Sequence, residues 1–397
     1  MANNICENGR ARSDRPSLTI GVDGRFLQDK FHGVGRYTFG LLTGLCALEG
    51  DHRIVVFMDP SLPDHRFRVD GLVASGRLTV RPITLPLYHP QELWAWPRIL
   101  RETPLDLFHA PFFWSPLVLP CPLVTTFHDM IFDRYPHYIP GWRFLPPYKV
   151  VSRLAVRRSR RIIAVSEATR RDILHFTHTD PRKVVSILSG VDPAFAMQAA
   201  NAQAVREKYS LPDRYILAVG ARRPHKNIPR LVAAFSQLAP AIEQSLVLVG
   251  SVDRRFAEPL PSGANALRST GRIREIAFVE EEDMPALYAG ADLFVQPSVI
   301  EGFGLPVLEA MVCGCPVACS DASSLPEVAG DAAFYFDPSS EDAIARAIRQ
   351  ALAAPDLRET QRQRGLFRAH QFNWRETAAK TLALYHAAIQ ERAGRQS

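Results

Sequence analysis

Cysteine is scarce, at six of 397 residues. That is too few for a disulfide scaffold, and the Cys313, Cys315 and Cys319 cluster has no His or Cys partner at zinc-finger spacing. The cysteines read as small buried residues of a reducing compartment. A Gly-X-Y repeat is absent despite 23 glycines and 31 prolines, which excludes a collagen-like chain. The first sixteen residues contain no apolar core, so they predict a loose tail rather than a secretory signal. A long helical hydrophobic run is also missing. The uncharged stretch from Ala110 to Phe127 contains Pro111, Pro116, Pro120 and Pro122, and each interior proline costs a helix about 3 kcal/mol. It predicts a buried loop feeding a strand, and with it a cytoplasmic protein able to touch a membrane from outside. Charge of one sign is in small excess, 47 basic against 41 acidic residues for a net +6, which does not by itself argue for nucleic acid.

What is present is an ordinary globular balance, with 47% apolar and 22% charged residues. A chain of this length exceeds what one hydrophobic core usually supports and predicts two domains. Short β-rich runs alternate with helical patterns. In the first half the runs are Leu18–Val22, Ile54–Met58, Leu78–Ile83, Leu105–His109, Leu123–Phe127 and Ile162–Val165. Helical stretches lie between them at Val34–Glu49, Gln91–Arg101 and Arg143–Arg158. The second half starts afresh, with strands expected at Tyr215–Val219, Leu246–Val249, Ile276–Val279, Leu293–Gln296 and Val317–Cys319. Alternation of this kind indicates α/β domains with parallel sheets covered on both faces. The less apolar segment Val191–Tyr209 marks a boundary, giving domains at 1–195 and 205–372 that face each other across a cleft. Asn373 and Glu376 form a capping-box pattern at the start of an amphipathic helix over 374–392.

The most informative string is Glu301-Gly-Phe-Gly-Leu-Pro-Val-Leu-Glu309. A strand ends just before it, and Pro306 falls in the first turn of a helix, where it loses no needed donor. Gly302 and Gly304 allow close backbone approach to a ligand. The amides near Phe303, Gly304 and Leu305 lie at the positive helix end, an arrangement suited to a diphosphate. Two carboxylates beside a diphosphate would repel it, so Glu301 and Glu309 are better suited to sugar and ribose hydroxyls.

This string resembles the Glu-x7-Glu motif of retaining glycosyltransferases of family four, which have the GT-B fold of two facing Rossmann-like domains. The resemblance extends along nearly the whole chain. It includes Gly33-Val34-Gly35-Arg36-Tyr37, Phe127-His128-Asp129, Val165-Ser166-Glu167, Gly190-Val191-Asp192, Gly220 to Asn227, Ser323 to Val328, and Phe372-Asn373-Trp374. It implies a C-terminal domain that binds a nucleotide-sugar through Arg222, Arg223, Lys226, Phe303, Gly304, Leu305 and Glu309, with Gly35 of the N-terminal domain also contacting the donor. It implies an N-terminal domain that binds the acceptor, with the helix over 374–392 packing back on it. His128, Glu301 and Lys226 would be the catalytic residues, with His128 contacting the transferred sugar and Lys226 neutralising the departing diphosphate. The matching retaining enzymes usually lack a clear carboxylate nucleophile, and a front-face displacement assisted by the leaving phosphate is the usual proposal. His225 and the paired Arg222 and Arg223 depart from the common pattern, which leaves open which arginine grips phosphate.

None of the 22 aspartates forms an Asp-x-Asp pair, so no metal is expected to hold the diphosphate. The expected reaction is hexosyl transfer, mannosyl from GDP-mannose favoured by overall similarity, to a glycan or lipid-linked acceptor of cell-surface polysaccharide. A nucleotide-sugar epimerase of the same fold and a non-catalytic sugar-binding protein are the alternatives. From Arg134 to Ser166 there are eight Lys/Arg and no Asp/Glu, interleaved with Tyr138, Trp142, Phe144 and Tyr148. The segment suits an anionic membrane surface or a lipid-diphosphate acceptor. No nucleic-acid motif accompanies it.

Overall fold

A computed structural model describes residues 18–28, 32–62, 66–192, 194–197, 202–252, 254–256, 260–261 and 263–393. The predicted tail and Cys6 lie outside the described residues. The first sheet contains β1 (Thr19–Asp23), β2 (Arg53–Met58), β3 (Leu78–Pro82), β4 (Leu107–Ala110), β5 (Leu123–Phe127), β6 (Arg161–Ala164) and β7 (Val184–Ser186). Its order is β3-β2-β1-β4-β5-β6-β7, and every pairing is parallel. The second contains β8 (Tyr215–Val219), β9 (Ser245–Val249), β10 (Ile273–Ile276), β11 (Leu293–Gln296), β12 (Val317–Ser320) and β13 (Ala333–Phe336). Its order is β10-β9-β8-β11-β12-β13, again all parallel. Both are doubly wound α/β sheets. Strands β4, β5, β9, β11 and β12 are buried along their whole length, because helices cover both faces.

Such sheets bind ligands beyond the carboxyl ends of their strands, where the strand order reverses. The reversals fall between β1 and β4 in the first sheet and between β8 and β11 in the second. Residues 187–214 connect the two sheets, and the described residues among them form helices but no strand.

The helix Trp374–Ala393 packs against the first helix, His32–Ala47. Ala378, Thr381, Tyr385 and Ala388 are buried along one face, the three-to-four-residue spacing of an amphipathic helix. The approach is close because the first helix presents glycines. A Cβ on Gly40 would lie 2.1 Å from the Trp374 ring, and one on Gly44 would lie 2.2 Å from the Trp374 carbonyl. Asn373 caps this helix by accepting from the Glu376 amide at 2.8 Å. The reciprocal half of the expected capping box is replaced by a Glu376–Lys380 ion pair.

The loop 111–122 does feed β5, but it is not wholly buried, since Val118 is 52% exposed. The basic segment is divided rather than continuous. Trp142 and Phe144 precede the helix Leu145–Arg158, whereas Arg157, Arg158, Arg160 and Arg161 lie at its far end, about 20 Å away at 1.5 Å per residue. Arg134 pairs with Asp172, Arg153 with Asp133, and Arg161 with Glu391. Among the described residues, no helix is long and apolar enough to cross a membrane.

Candidate active site

Two loops from the second sheet build the floor of the cleft. After β8 the chain turns at Gly220 and runs through Arg222 and Arg223 into a short 3-10 turn, Pro224–Lys226. After β11 it runs through Ser298 and Glu301 to Gly304, whose φ of +111° a side chain would strain. Gly304 thereby starts the helix Leu305–Val312, with Pro306 in its first turn as the sequence predicts.

Glu301 and Lys226 meet here, with Lys226 Nζ donating to Glu301 Oε1 at 2.7 Å. The same oxygen accepts from Gln296 Nε2 and Ser298 Oγ, each at 2.7 Å. Burial opposes ionisation of Glu301, but the Lys226 charge and these donors outweigh it and hold the carboxyl below its usual range. The carboxylate is thus charged and fixed, suited to accepting a sugar hydroxyl. Gln296 and Ser298 are positioning residues that the motif did not reveal. Gln296 Oε1 is buried without a protein partner.

Lys226, at the cleft edge of the β8 loop, supplies positive charge. Of the neighbouring arginines, Arg222 is tied to Glu275 on β10 at 2.9 Å. Arg223 stacks over Phe256 at 5.9 Å, and its charge acts on Asp129 and His225. Arg223 is therefore the arginine nearer the facing domain. Burial, with Lys226 second, pushes the His225 ring down to about 4. Phe303 is buried against Phe372, with ring centroids 6.0 Å apart. Leu305 opens its helix beside it.

The opposite wall comes from the first sheet. His128 follows β5, and its Nε2 lies 2.9 Å from the Pro111 carbonyl. A carbonyl only accepts, so Nε2 carries the proton and Nδ1 is left as an acceptor. Burial lowers the His128 pKa to about 4, keeping the ring neutral near pH 7. Tyr37 meets His128 edge-on at 5.0 Å. A buried chain links this wall to the crossing helix. Tyr37 Oη lies 3.1 Å from Thr126 Oγ1, His109 Nε2 2.8 Å from the same hydroxyl, and Tyr385 Oη 2.6 Å from His109 Nδ1.

The two walls touch. A Cβ on Gly302 would lie 1.8 Å from the His128 carbonyl, so only glycine permits this approach. Ser166 Oγ donates to the Gly302 carbonyl at 2.6 Å. Glu327 of the second domain accepts from the Glu167 amide at 2.9 Å, capping the helix Glu167–Thr177 of the first.

Glu309, one helical turn further in, is 2% exposed. One oxygen pairs with Arg36 from the first helix and the other accepts from Tyr288 Oη at 3.0 Å. Arg36 also pairs with Glu281, which in turn pairs with Arg66. The ribose role expected of Glu309 therefore requires Arg36 to yield a position or share it. Gly35 sits inside the first helix rather than in a loop before it. A Cβ there would meet Phe67 at 2.7 Å and the Phe26 carbonyl at 2.8 Å, whereas Gly33 faces open space. Packing thus accounts for Gly35.

A buried ion network at the β1 switch point also escaped the sequence reading. Arg25 pairs with Asp23 at 2.7 Å and with Glu92 at 2.8 Å, and Trp114 Nε1 donates to Glu92 at 2.8 Å. Only the position of Asp23 at a strand end could have signalled it.

Comparison with known proteins assigns the chain. Residues 31–195 match Glycosyltransferase Family 4, and residues 201–366 match Glycosyl transferases group 1. O-antigen chain mannosyltransferase B of Escherichia coli is 34% identical over 369 residues, covering 89% of this chain and 95% of that protein. Sucrose-phosphate synthase from Thermosynechococcus elongatus superposes with a TM-score of 0.70 at 20% identity, covering 94% of this chain and 100% of that one. Anabaena HepE, solved in complex with UDP and glucose, superposes with a TM-score of 0.69 at 17% identity, covering 93% and 100%. With its two facing parallel sheets and the Glu301–Glu309 string at their junction, the chain belongs to the family-four glycosyltransferases of GT-B fold.

Proposed function

We propose that this glycosyltransferase moves a mannosyl group, with retention of anomeric configuration, from GDP-mannose to a glycan or lipid-linked acceptor in the synthesis of a cell-surface polysaccharide. The observation that carries the transfer chemistry is the Lys226–Glu301 pair beneath His128 at the β11 switch point. The mannosyl assignment is supported by the similarity to the E. coli O-antigen mannosyltransferase.

In this reading Glu301 accepts a hydroxyl of the donor sugar and His128 Nδ1 accepts another. Neither acts as a nucleophile or general base, since Glu301 is pinned by three donors and His128 titrates far below neutrality. Lys226, Arg223 and the amino end of Leu305–Val312 take up the charge that grows on the departing diphosphate. Glu309 holds the ribose hydroxyls. Fixed cations and a helix end do the work that a divalent ion does elsewhere, so the reaction needs no metal. The enzyme works in the cytoplasm, at the inner face of the membrane.

Thermal shift with GDP-, UDP-, dTDP- and ADP-sugars tests the donor, with the largest stabilisation expected from GDP-mannose. Mannosyl transfer should then persist in excess EDTA. A clear preference for another nucleotide, or loss of transfer restored by one stoichiometric divalent ion, would overturn the corresponding part.

A further inference from the structure

A cavity of about 900 Å³ opens at the amino ends of β5, β6 and β7, the edge of the first sheet opposite the catalytic cleft. Its cationic lining is Arg157, Arg158, Arg160, Arg161, Arg182 and Lys183. Two carboxylates, Asp180 and Glu391, share the lining, and they are spent on Arg182 and Arg161 respectively. Arg157, Arg158 and Arg160 have no carboxylate partner among the described residues, which leaves the cavity with uncompensated charge. Arg161 Nε is buried with no acceptor in reach. Lys183 is pushed below its usual range by burial and by Arg160, against the opposing pull of Asp180. The remaining wall is the proline-rich loop with Leu117 and Leu119, between which Val118 is exposed.

We propose that this cavity is an anion site, separate from the donor cleft, that takes the phosphate of a membrane lipid headgroup. Three unpaired guanidinium groups match phosphate oxygens in charge and fork geometry. The apolar lip at Leu117–Leu119 is placed to meet the acyl boundary beside a headgroup held within. A free phosphate offers the same charge but nothing for the lip. The basic segment thus acts through its carboxyl end, together with Arg182 and Lys183, whereas Trp142 and Phe144 belong to the other end of the helix.

Co-sedimentation of the full chain with phosphatidylglycerol and phosphatidylcholine vesicles, at low and high salt, is the test. Binding to the anionic vesicles only, weakened by salt, is expected. The variant Arg157→Gln/Arg158→Gln/Arg160→Gln should lose roughly a hundredfold in that affinity, from about a fivefold contribution per charge near the surface. These side chains are unpaired, so its melting temperature and its sugar transfer to a soluble acceptor should match the parent. Lys226→Gln, which disables the donor cleft, should bind vesicles normally, so a failure of the donor reading leaves this result distinguishable. Titration with inorganic pyrophosphate separates the sources. Binding of pyrophosphate that the triple variant loses, without vesicle binding, would replace the headgroup by a soluble phosphate ligand. Equal binding to both vesicle types, or a triple variant that binds like the parent, would overturn the site.

Discussion

Glu301 and Glu309 are two carboxylates with different surroundings, and their substitutions should separate in kinetics. Glu301 is fixed by Lys226, Gln296 and Ser298 at the point where the sugar would lie. Glu301→Gln is expected to lower kcat by about a hundredfold or more with little change in donor KM, the signature of an interaction that strengthens in the transition state. Glu309→Ala should instead raise donor KM by roughly tenfold to a hundredfold, the value of hydrogen bonds to a charged group. Steady-state kinetics on both variants decide this, and equal effects on both parameters would contradict the division. The motif carried these two residues in a single contiguous string, and strand β11 and helix Leu305–Val312 place its ends where the spacing implied. Arg36 and Gln296 were not legible in the same way. Arg36 acquires its meaning only when two domains bring it to Glu309, and Gln296 reads as an ordinary strand end until Glu301 folds back upon it.

Between elements, the contact that matters most is that of Gly302 with the loop after β5. Gly302→Ala would put a methyl group inside the His128 carbonyl and must push the domains apart. We expect kcat/KM to fall at least about tenfold, while stability drops by the roughly 1–3 kcal/mol typical of overpacking. An alanine variant with parental activity would show that the approach is not needed. Glu327→Ala removes the cap lent by one domain to a helix of the other and should cost about 1 kcal/mol in urea denaturation. The elements themselves were largely legible. Long apolar runs such as Leu123–Phe127 and Tyr215–Val219 have the expected bounds, because strands buried on both faces leave little ambiguity. Of the four edge strands, β3 was legible from Leu78 onward and the other three were not. β7 has three residues, β13 four, and neither stands out from its flanks. β10 begins three residues earlier than its apolar content suggests, because Arg274 and Glu275 are exposed on the edge of the sheet.

For the whole molecule, three histidines set a pH dependence. Burial holds His109 at about 3 and His128 and His225 at about 4, against an unfolded value near 6.5. The unfolded chain therefore binds more protons between those values, and stability must rise with pH across that window. The contribution is complete above about pH 6.5 and is lost progressively as the pH falls towards 4. Calorimetry at pH 5 in buffers of different ionisation enthalpy should detect uptake of close to three protons on unfolding from these residues. An uptake near zero would show that the rings are protonated in the folded state.

The crossing helix also orders events in time. Its Trp374 fills the space over Gly40 and Gly44 on the first helix, and Tyr385 closes the chain of contacts that ends at the His128 ring. The ribosome delivers the first helix early and its covering partner only after the whole second domain, at roughly 5–20 residues per second. During that interval the glycine-lined groove has no permanent occupant. The first domain can form its sheet on the ribosome, yet the wall that carries His128 is completed only when the second domain has already emerged. A nascent chain stalled before Trp374 should accordingly expose an apolar groove that chaperones can recognise, and release of the remaining residues should close it without any change in either sheet.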